Sequence, residues 1–297
     1  MHYDIPMPRS GARAVLVILV ETSTRDTSQQ ENDSNKGLGL TRTFRHLVSF
    51  IAGYLALNQQ NELVVIALHN SDCRYLYKSP HLDMRTGVQP PMSDVCKEIL
   101  SKILQLSSST LQTTSRDSGP SNADSVESPL AAGLSMALCH IKRIGLGSSG
   151  DSRRIFCLQR STVSQRQYIP MMNVIFAAQQ AFVPIDSYSL CCKDSNILEQ
   201  AANITRGLHR KMQHDGELGQ HLLTFSAWSL SCRGSLYLGK QHGVHFNTFC
   251  FCHKKMLHRG FVCSACLSIS CAALNSVGNC MSCSAKFDKH TWLVRHF

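Results

Sequence analysis

The chain has 297 residues and a mass of 33.0 kDa, and 43% of its residues are hydrophobic while 17% are charged. This is enough material for one or two domains with a substantial core, and it excludes a disordered polyelectrolyte. The longest apolar run, residues 14–20, is much shorter than the roughly 18 residues of a membrane span, so we expect no membrane protein. Glu21 follows this run without a small-residue cleavage site, so we also expect no secretory signal.

The cysteines are distributed unevenly. Seven of the 14 lie within residues 250–283, and the other seven are spread over the rest of the chain, mostly in apolar segments. Clustering at one end of a large chain is typical of metal binding, whereas disulfide frameworks belong chiefly to small secreted domains. We therefore expect a reducing compartment, the cytosol or the nucleus.

The predicted elements begin with a buried strand. Residues 14–20 are continuously apolar and rich in Val and Ile, as in a strand covered on both faces of a parallel sheet. A polar stretch over residues 22–39 leads to a helix over 41–57, whose apolar residues recur at helical spacing. Further predicted elements of this half are strands over 63–68 and 74–77 and a helix over 95–106.

The second half repeats the alternation after a polar segment. Residues 107–128 are rich in Ser, Thr, Asp and Gly without periodicity, which predicts a disordered insertion. The elements predicted after it are helices over 129–143, 171–181, 195–204 and 217–230, strands over 153–158 and 183–190, and an edge strand over 208–212. Such alternation predicts an α/β fold, an open, doubly wound and mostly parallel sheet with helices on both faces.

Ligands of such sheets bind beyond the carboxyl ends of the strands, so the loop after the first strand is the first candidate site. A von Willebrand A domain has Asp-x-Ser-x-Ser there, because a carboxylate and two hydroxyls are hard oxygen ligands for Mg²⁺. This chain has Glu21 in the acid position and Ser23 in the first hydroxyl position, but Arg25 in place of the second hydroxyl. A guanidinium repels a cation, so we interpret this segment as an ordinary strand-end loop.

No catalytic constellation is evident. Residues 145–150 match G-x-G-x-x-G, but they follow a predicted helix and precede a strand, whereas a dinucleotide fingerprint follows a strand and opens a helix. We therefore interpret them as a helix-ending loop, and the adjacent Cys191 and Cys192 as structural thiols. An α/β enzyme would need a pair of perturbed titratable groups in the strand-end crevice, and the sequence offers none. We expect no enzymatic activity and no catalytic or cofactor-binding residues.

The strongest chemical signal is the C-terminal cysteine cluster. A C-x-x-C motif places two sulfurs on one tight turn, and two such motifs together supply a tetrahedral zinc site. The two motifs here are separated by 13 residues, and their cysteines are Cys263, Cys266, Cys280 and Cys283. The sequence predicts a Zn²⁺ ion on these four residues. Because all four ligands are protein groups, the zinc would be structural rather than catalytic.

A second set of ligands remains in the same segment. Its members are Cys250, Cys252, His253 and Cys271. They are a possible second, cross-braced zinc site in which Cys250 and Cys252 act as a pair, although Cys-x-Cys has poorer geometry than C-x-x-C. The sequence leaves open whether one or two zinc ions are bound.

Several segments together carry a family resemblance. They are Leu-Val-Val-Ile-Ala-Leu-His at 63–69, Met-Asn-Val-Ile-Phe-Ala-Ala-Gln at 172–179, Ile-Asp-Ser-Tyr at 185–188, Cys-Phe-Cys-His at 250–253 and Val-Cys-Ser-Ala-Cys-Leu-Ser-Ile at 262–269. In these the chain resembles the general transcription factor IIH subunit 3 family, the smaller von Willebrand A-like subunit of the core of TFIIH. The resemblance covers roughly residues 12–290.

The resemblance implies a von Willebrand A-like domain over residues 12–230 and a C4-type zinc-binding module over 245–290. It also implies a non-enzymatic nuclear scaffold, which acts in RNA polymerase II transcription initiation and in nucleotide excision repair. Subunits of this family use the A-like domain to dock the RING-type zinc module of a larger, also A-like, sister subunit. Direct contact with DNA is not implied.

The alternative function is nucleic-acid binding through the C-terminal module. Residues 231–297 carry eight Lys or Arg and one acid, which is +7 of the formal net charge of +10. Such a basic segment is compatible with nucleic acid, and equally with an acidic protein partner. The aromatic residues near the cysteines are better interpreted as apolar cover for the zinc.

Overall fold

The structure is a computed structural model, and its described residues fall into a larger N-terminal part and a discontinuous C-terminal part. The N-terminal part comprises residues 13–22, 40–79, 90–113, 128–145, 151–161, 163, 167–190, 196–212 and 215–226. The C-terminal part comprises residues 248–250, 253, 256–257, 259–263, 265–266, 268–271, 279–281, 283–286 and 293–296.

A six-stranded sheet forms the centre of the N-terminal part. Its strands are β1 (Ala14–Glu21), β2 (Glu62–His69), β3 (Asp72–Lys78), β4 (Ser152–Gln159), β5 (Ile185–Ser189) and β6 (His209–Lys211), in the spatial order β3-β2-β1-β4-β5-β6. All neighbours are parallel except β3, which pairs antiparallel with β2. The exception follows from the two-residue connection between β2 and β3, where Asn70 has a φ of 52°, because so short a turn can only reverse the chain.

In the part of the chain that the structure describes, six α-helices and one π-helix accompany the sheet. They are α1 (Leu40–Leu57), α2 (Met92–Thr113), α3 (Leu130–Ile144), α4 (Tyr168–Gln180), α5 (Asn196–Thr205), α6 (Asp215–His221) and the π-helix Leu222–Ser226. Helices α1, α2 and α6 contribute to one apolar cluster, and α3, α4 and α5 contribute to the other. Among these described residues, no helix is both long enough and apolar enough to cross a membrane.

Strand β1 separates the two clusters. Its side chains point alternately to the two faces: Leu16 and Ile18 join the cluster of α1, while Val17 and Leu19 join the cluster of α3. All four side chains are fully buried. Burial of each contributes about 1.5–3 kcal/mol, so the central strands supply much of the stability of this part. This is the doubly wound, mostly parallel sheet that the alternation of strands and helices predicted, with helices on both faces.

Two sequence predictions need correction. Helix α2 extends to Thr113, so residues 107–113 are helical and do not belong to the predicted insertion over 107–128. Extending an existing helix adds one hydrogen bond for each residue fixed, so a polar segment without periodicity can still continue it. Residues 114–127 lie outside the described part. The closing helix predicted over 217–230 is instead α6 followed by the π-helix, because apolar spacing alone does not distinguish the two kinds of turn.

The C-terminal part is built from short antiparallel strands. They are β7 (Thr248–Phe249), β8 (Met256–Leu257), β9 (Arg259–Val262), β10 (Ile269–Ser270) and β11 (Leu293–His296). Strands β7 and β8 form a two-stranded sheet, and a three-stranded sheet has the order β10-β9-β11. Cys250, Cys263 and Cys271 directly follow β7, β9 and β10.

Candidate metal centre

The first C-x-x-C motif lies in the turn between β9 and β10. Val262 pairs with Ile269, and the amide of Cys263 donates a hydrogen bond of 2.9 Å to the carbonyl oxygen of Ser268, which closes the turn. Inside it, the amide of Cys266 donates to the sulfur of Cys263 at 3.4 Å. The strand pair and these bonds therefore place both sulfurs on one side of a tight loop.

The second C-x-x-C motif repeats this arrangement. The amide of Cys280 donates to the carbonyl oxygen of Ala285 at 2.8 Å, five residues on, as in the first turn. Asn279 and Lys286 form an antiparallel bridge that closes the loop. Ser284 has a φ of 58° and its amide donates to the carbonyl oxygen of Cys280 at 2.8 Å, so the chain reverses directly after the motif.

The two turns bring four sulfurs together. The sulfurs of Cys263 and Cys283 are 3.8 Å apart, those of Cys266 and Cys280 are 3.6 Å apart, and all four lie within 4.8 Å of one another. Four sulfurs at about 2.3 Å from a central ion would be about 3.8 Å apart at the corners of a tetrahedron. The spacing therefore fits a tetrahedral metal ion, and this four-cysteine cluster could hold one.

Ser268 favours the thiolate form of one cysteine of the cluster, Cys266. Ser268 is buried, and its hydroxyl oxygen lies 3.1 Å from the sulfur of Cys266 and 3.3 Å from that of Cys280. Hydrogen bonds with the side chain and backbone of Ser268 lower the pKa of the Cys266 thiol. Cys263 and Cys280 are buried, whereas Cys266 and Cys283 are exposed, so the cluster lies at the edge of the module.

The second predicted ligand set is partly assembled. Cys250, His253 and Cys271 place their ligand atoms within 4.8 Å of one another, and the sulfur of Cys271 is 3.2 Å from Nδ1 of His253. Cys252 lies outside the described residues. The sequence had suggested Cys250 and Cys252 as the pair. That pairing stays a prediction, and residues 250–253 also offer Cys-x-x-His, which has the same spacing as the C-x-x-C turns.

The acid of the strand-end loop is already engaged by the protein. The carboxylate of Glu21 is buried, and one of its oxygens accepts hydrogen bonds from the amides of Arg160 and Ser161, each at 2.8 Å. Its other oxygen accepts a bond from the hydroxyl of Ser161. These donors follow β4, the neighbour of β1, and sequence spacing gives no hint of them. Ser23 and Arg25 lie outside the described residues.

Two more features of the strand ends bear on chemistry. Oγ1 of Thr22 and Nδ1 of His69 are 3.0 Å apart, and burial lowers the pKa of that histidine. Gly145 has a φ of 57° and ends α3, as expected for the start of a helix-ending loop, because glycine tolerates this left-handed conformation. Residues 146–150, Cys191 and Cys192 lie outside the described part.

Comparison with known proteins identifies the family. The family profile "Transcription factor Tfb4" matches residues 13–284. The chain is 34% identical over 277 residues to "General transcription and DNA repair factor IIH subunit TFB4" of Arabidopsis thaliana, covering 91% of this chain and 88% of that protein. It is 31% identical over 261 residues to "General transcription factor IIH subunit 3" of Dictyostelium discoideum, covering 85% and 69%.

A solved structure agrees with these relatives. The "Crystal Structure of the TFIIH p34 N-terminal Domain" superimposes with a TM-score of 0.56 at 26% identity, covering 72% of this chain and 98% of that one. The names of these relatives describe subunits of the factor IIH, which acts in transcription and DNA repair. The resemblance noted in the sequence is thus confirmed, and the chain belongs to the transcription factor Tfb4 family.

Proposed function

We propose that this protein is a non-enzymatic structural subunit of the TFIIH core. It acts in the nucleus, in RNA polymerase II transcription initiation and in nucleotide excision repair. Membership of the Tfb4 family supports this role. The occupied carboxylate of Glu21 supports it as well, because a group that accepts three hydrogen bonds from its own chain is poorly available to a cation or a substrate.

The A-like domain docks the RING-type module of the larger sister subunit, and helix α4 supplies the contact surface. This helix has no charged residue. Ile169 and Phe176 are 44% and 48% exposed, and Phe182, directly after the helix, is 89% exposed. Ile169 and Phe176 are seven positions apart, so they lie on the same side of the helix, and exposed large apolar side chains are typical of a surface that a partner covers. Their exposure is the observation that carries the proposal.

An open cleft lies at the end of α4 that also carries Ile169. It has a volume of about 360 Å³, and its lining residues, from the starts of α3 and α4, are Pro129, Ala131, Ala132, Ser135, Gln167 and Pro170. An apolar anchor from the partner would fill it, as expected where a few residues supply most of the binding energy.

Co-purification tests the docking surface. We expect the RING-bearing sister subunit of TFIIH, co-expressed with this chain, to be retained by the wild type and lost with Phe176→Asp. The matched control is Leu104→Asp, since Leu104 is also an exposed apolar residue, 60% exposed, but lies on α2. Retention of the partner by Phe176→Asp, in a protein that melts as the wild type does, would contradict the assignment of α4.

The four-cysteine cluster binds Zn²⁺ as a structural ion. Zinc is the metal that four thiolates in tetrahedral geometry favour, and four protein ligands leave no position for a reacting water. The sulfur spacing of 3.6–3.8 Å supports this choice. The ion would join two turns that strand pairing alone holds only weakly.

Nucleic-acid binding stays the alternative prediction. It rests on the +7 charge of residues 231–297, and binding driven by phosphate contacts weakens steeply as salt rises. An affinity of the full chain for DNA that falls by orders of magnitude between low and moderate salt would favour this role. An absence of such binding at low salt would exclude it.

A further inference from the structure

Three ligand residues converge outside the four-cysteine cluster. Strands β7 and β8 pair antiparallel, and Cys250 and His253 lie in the connection between them. Cys271 directly follows β10, in the other small sheet. The three ligand atoms lie within 4.8 Å of one another, and the sulfur of Cys271 is 3.2 Å from Nδ1 of His253.

The spacing of Cys250 and His253 is the same as in the C-x-x-C turns. Cys250 and His253 are three positions apart, as are the members of each C-x-x-C pair, and they also lie between two paired strands. Cys250 is buried, His253 is exposed and Cys271 is intermediate. This mixture matches that of the four-cysteine cluster, where one cysteine of each pair is buried and the other is exposed.

We propose that Cys250, His253 and Cys271 hold a second Zn²⁺ ion. Thiolate sulfur and imidazole nitrogen are the donors that zinc prefers, whereas hard cations such as Mg²⁺ and Ca²⁺ prefer oxygen. The three atoms come from two sheets, so the ion joins the β7–β8 hairpin to the three-stranded sheet. The Cys-x-x-His turn supplies two ligands, and Cys271 supplies the third.

The two centres are interleaved along the chain. In chain order, the ligands alternate between the two centres. Cys250 and His253 belong to the second centre, and Cys263 and Cys266 belong to the first. Cys271 then belongs to the second centre, and Cys280 and Cys283 belong to the first. Only β10 separates Ser268, which contacts the sulfurs of the first centre, from Cys271 of the second. Loss of one ion should therefore weaken the binding of the other.

Zinc counting in the full-length protein tests the proposal. Native mass spectrometry should find two zinc ions per wild-type chain and fewer in Cys271→Ala. Cys139→Ala is the matched control, because Cys139 is an exposed cysteine on α3, and it should retain both ions. One zinc per wild-type chain, or full zinc content in Cys271→Ala, would overturn the second site.

Cadmium substitution separates the two centres without any mutation. Protein produced with ¹¹³Cd²⁺ should give two ¹¹³Cd NMR resonances, one in the range of four sulfur ligands and one shifted toward mixed sulfur and nitrogen ligands. A single resonance in the four-sulfur range would overturn the second site and leave the first intact. The absence of a four-sulfur resonance would contradict the first site instead, so the two failures are distinguishable.

Discussion

The N-terminal sheet domain and the C-terminal cysteine module are held together by different means. In the sheet domain, β1 is buried on both faces and lies between two clusters of large apolar side chains, to both of which it contributes. Among the side chains described in the C-terminal part, the buried apolar residues are Cys250, Cys263 and Cys280. One region is stabilised by burial of apolar surface, and the other gathers its buried groups around candidate metal ligands.

This difference follows from size. A large domain buries enough apolar surface to offset the loss of conformational entropy, whereas a segment of roughly 50 residues usually needs metals or disulfides. In a reducing compartment, metal binding takes the place of disulfides. The two regions should therefore respond separately to chelation and to core substitutions.

The largest expected effect is the loss of the module's structure on zinc removal. A strong chelator should make the segment after residue 247 rapidly cleavable by protease, because binding of a structural zinc ion supplies folding free energy. The helices and strands described between residues 13 and 226 should stay as resistant as they are without chelator. The measurement is limited proteolysis followed by mass spectrometry, and equal sensitivity of both regions would break the distinction.

Truncation of a side chain in the core of the sheet domain should destabilise that domain without affecting zinc binding by the cysteine module. The ring of Phe156 lies 5.6 Å from that of Phe50 and 5.2 Å from that of Tyr188. Phe156→Ala should lower the free energy of unfolding by about 3–5 kcal/mol, because it leaves a cavity among them. Urea denaturation measures this, and zinc content should not change. The exposed control Leu104→Ala should alter stability by less than about 0.5 kcal/mol.

A buried ion pair sharpens the comparison, because it is a polar contact within the sheet domain. Oδ2 of Asp186 is 4.0 Å from Nη1 of Arg154, and Oδ1 accepts a hydrogen bond of 2.9 Å from the amide of Leu208. Asp186→Asn leaves a buried guanidinium without its counter-charge and should cost about 3 kcal/mol in urea denaturation. The double variant Arg154→Met with Asp186→Asn should recover part of that loss. No recovery would show that the charge is not the cause.

The strand-end carboxylate should have a smaller effect. Glu21→Gln removes the charge and replaces one of two accepting oxygens by an NH2 group, which cannot accept a hydrogen bond, so a loss of about 1.5–3 kcal/mol is expected. Added Mg²⁺ should leave the melting temperature of the wild type unchanged, since the oxygens of Glu21 are already engaged. A rise in melting temperature with Mg²⁺ that Glu21→Gln abolishes would point to a working cation site.

The smallest expected effect is on pH dependence. Burial lowers the pKa of both His69 and His221 from the usual 6.5. Below pH 6.5 the unfolded chain then binds more protons than the folded one, so stability should fall slightly as the pH is lowered. Urea denaturation from neutral to mildly acidic pH should show a shallower decline for His69→Asn than for the wild type. An identical decline in the variant and the wild type would show that His69 is not a cause. Loss of zinc in acid does not affect this comparison, because it is common to both proteins.

Much of the sheet domain was predictable because its pattern is local. The continuous apolar run of β1 reflects burial of both faces of the strand, and the helical spacing of apolar residues in α1 reflects burial of one face of the helix. The extent of α2 was not predictable, because residues 107–113 are polar and continue the helix without an apolar signal. Strand order was also beyond the sequence, since it depends on pairing between distant segments.

The candidate site was likewise predictable only where its pattern is local. The C-x-x-C turns could be predicted because ligand spacing and turn geometry are both local. The partners of Glu21 could not, since Arg160 and Ser161 are about 140 positions away and donate mainly through backbone amides that carry no sequence signature. The role of Cys271 lies between these cases: its residue type was informative, but only the fold brings it to His253.

The contact between Glu21 and Ser161 also fixes the start of the connection from β4 to α4. If a dissolved cation formed this link, its strength would vary with the cation's concentration in the cell. A link made from the chain's own atoms is present whenever the domain is folded. The apolar side of α4 should thus be presented permanently, which suits a subunit that assembles once and stays, rather than one that exchanges partners on an ionic signal.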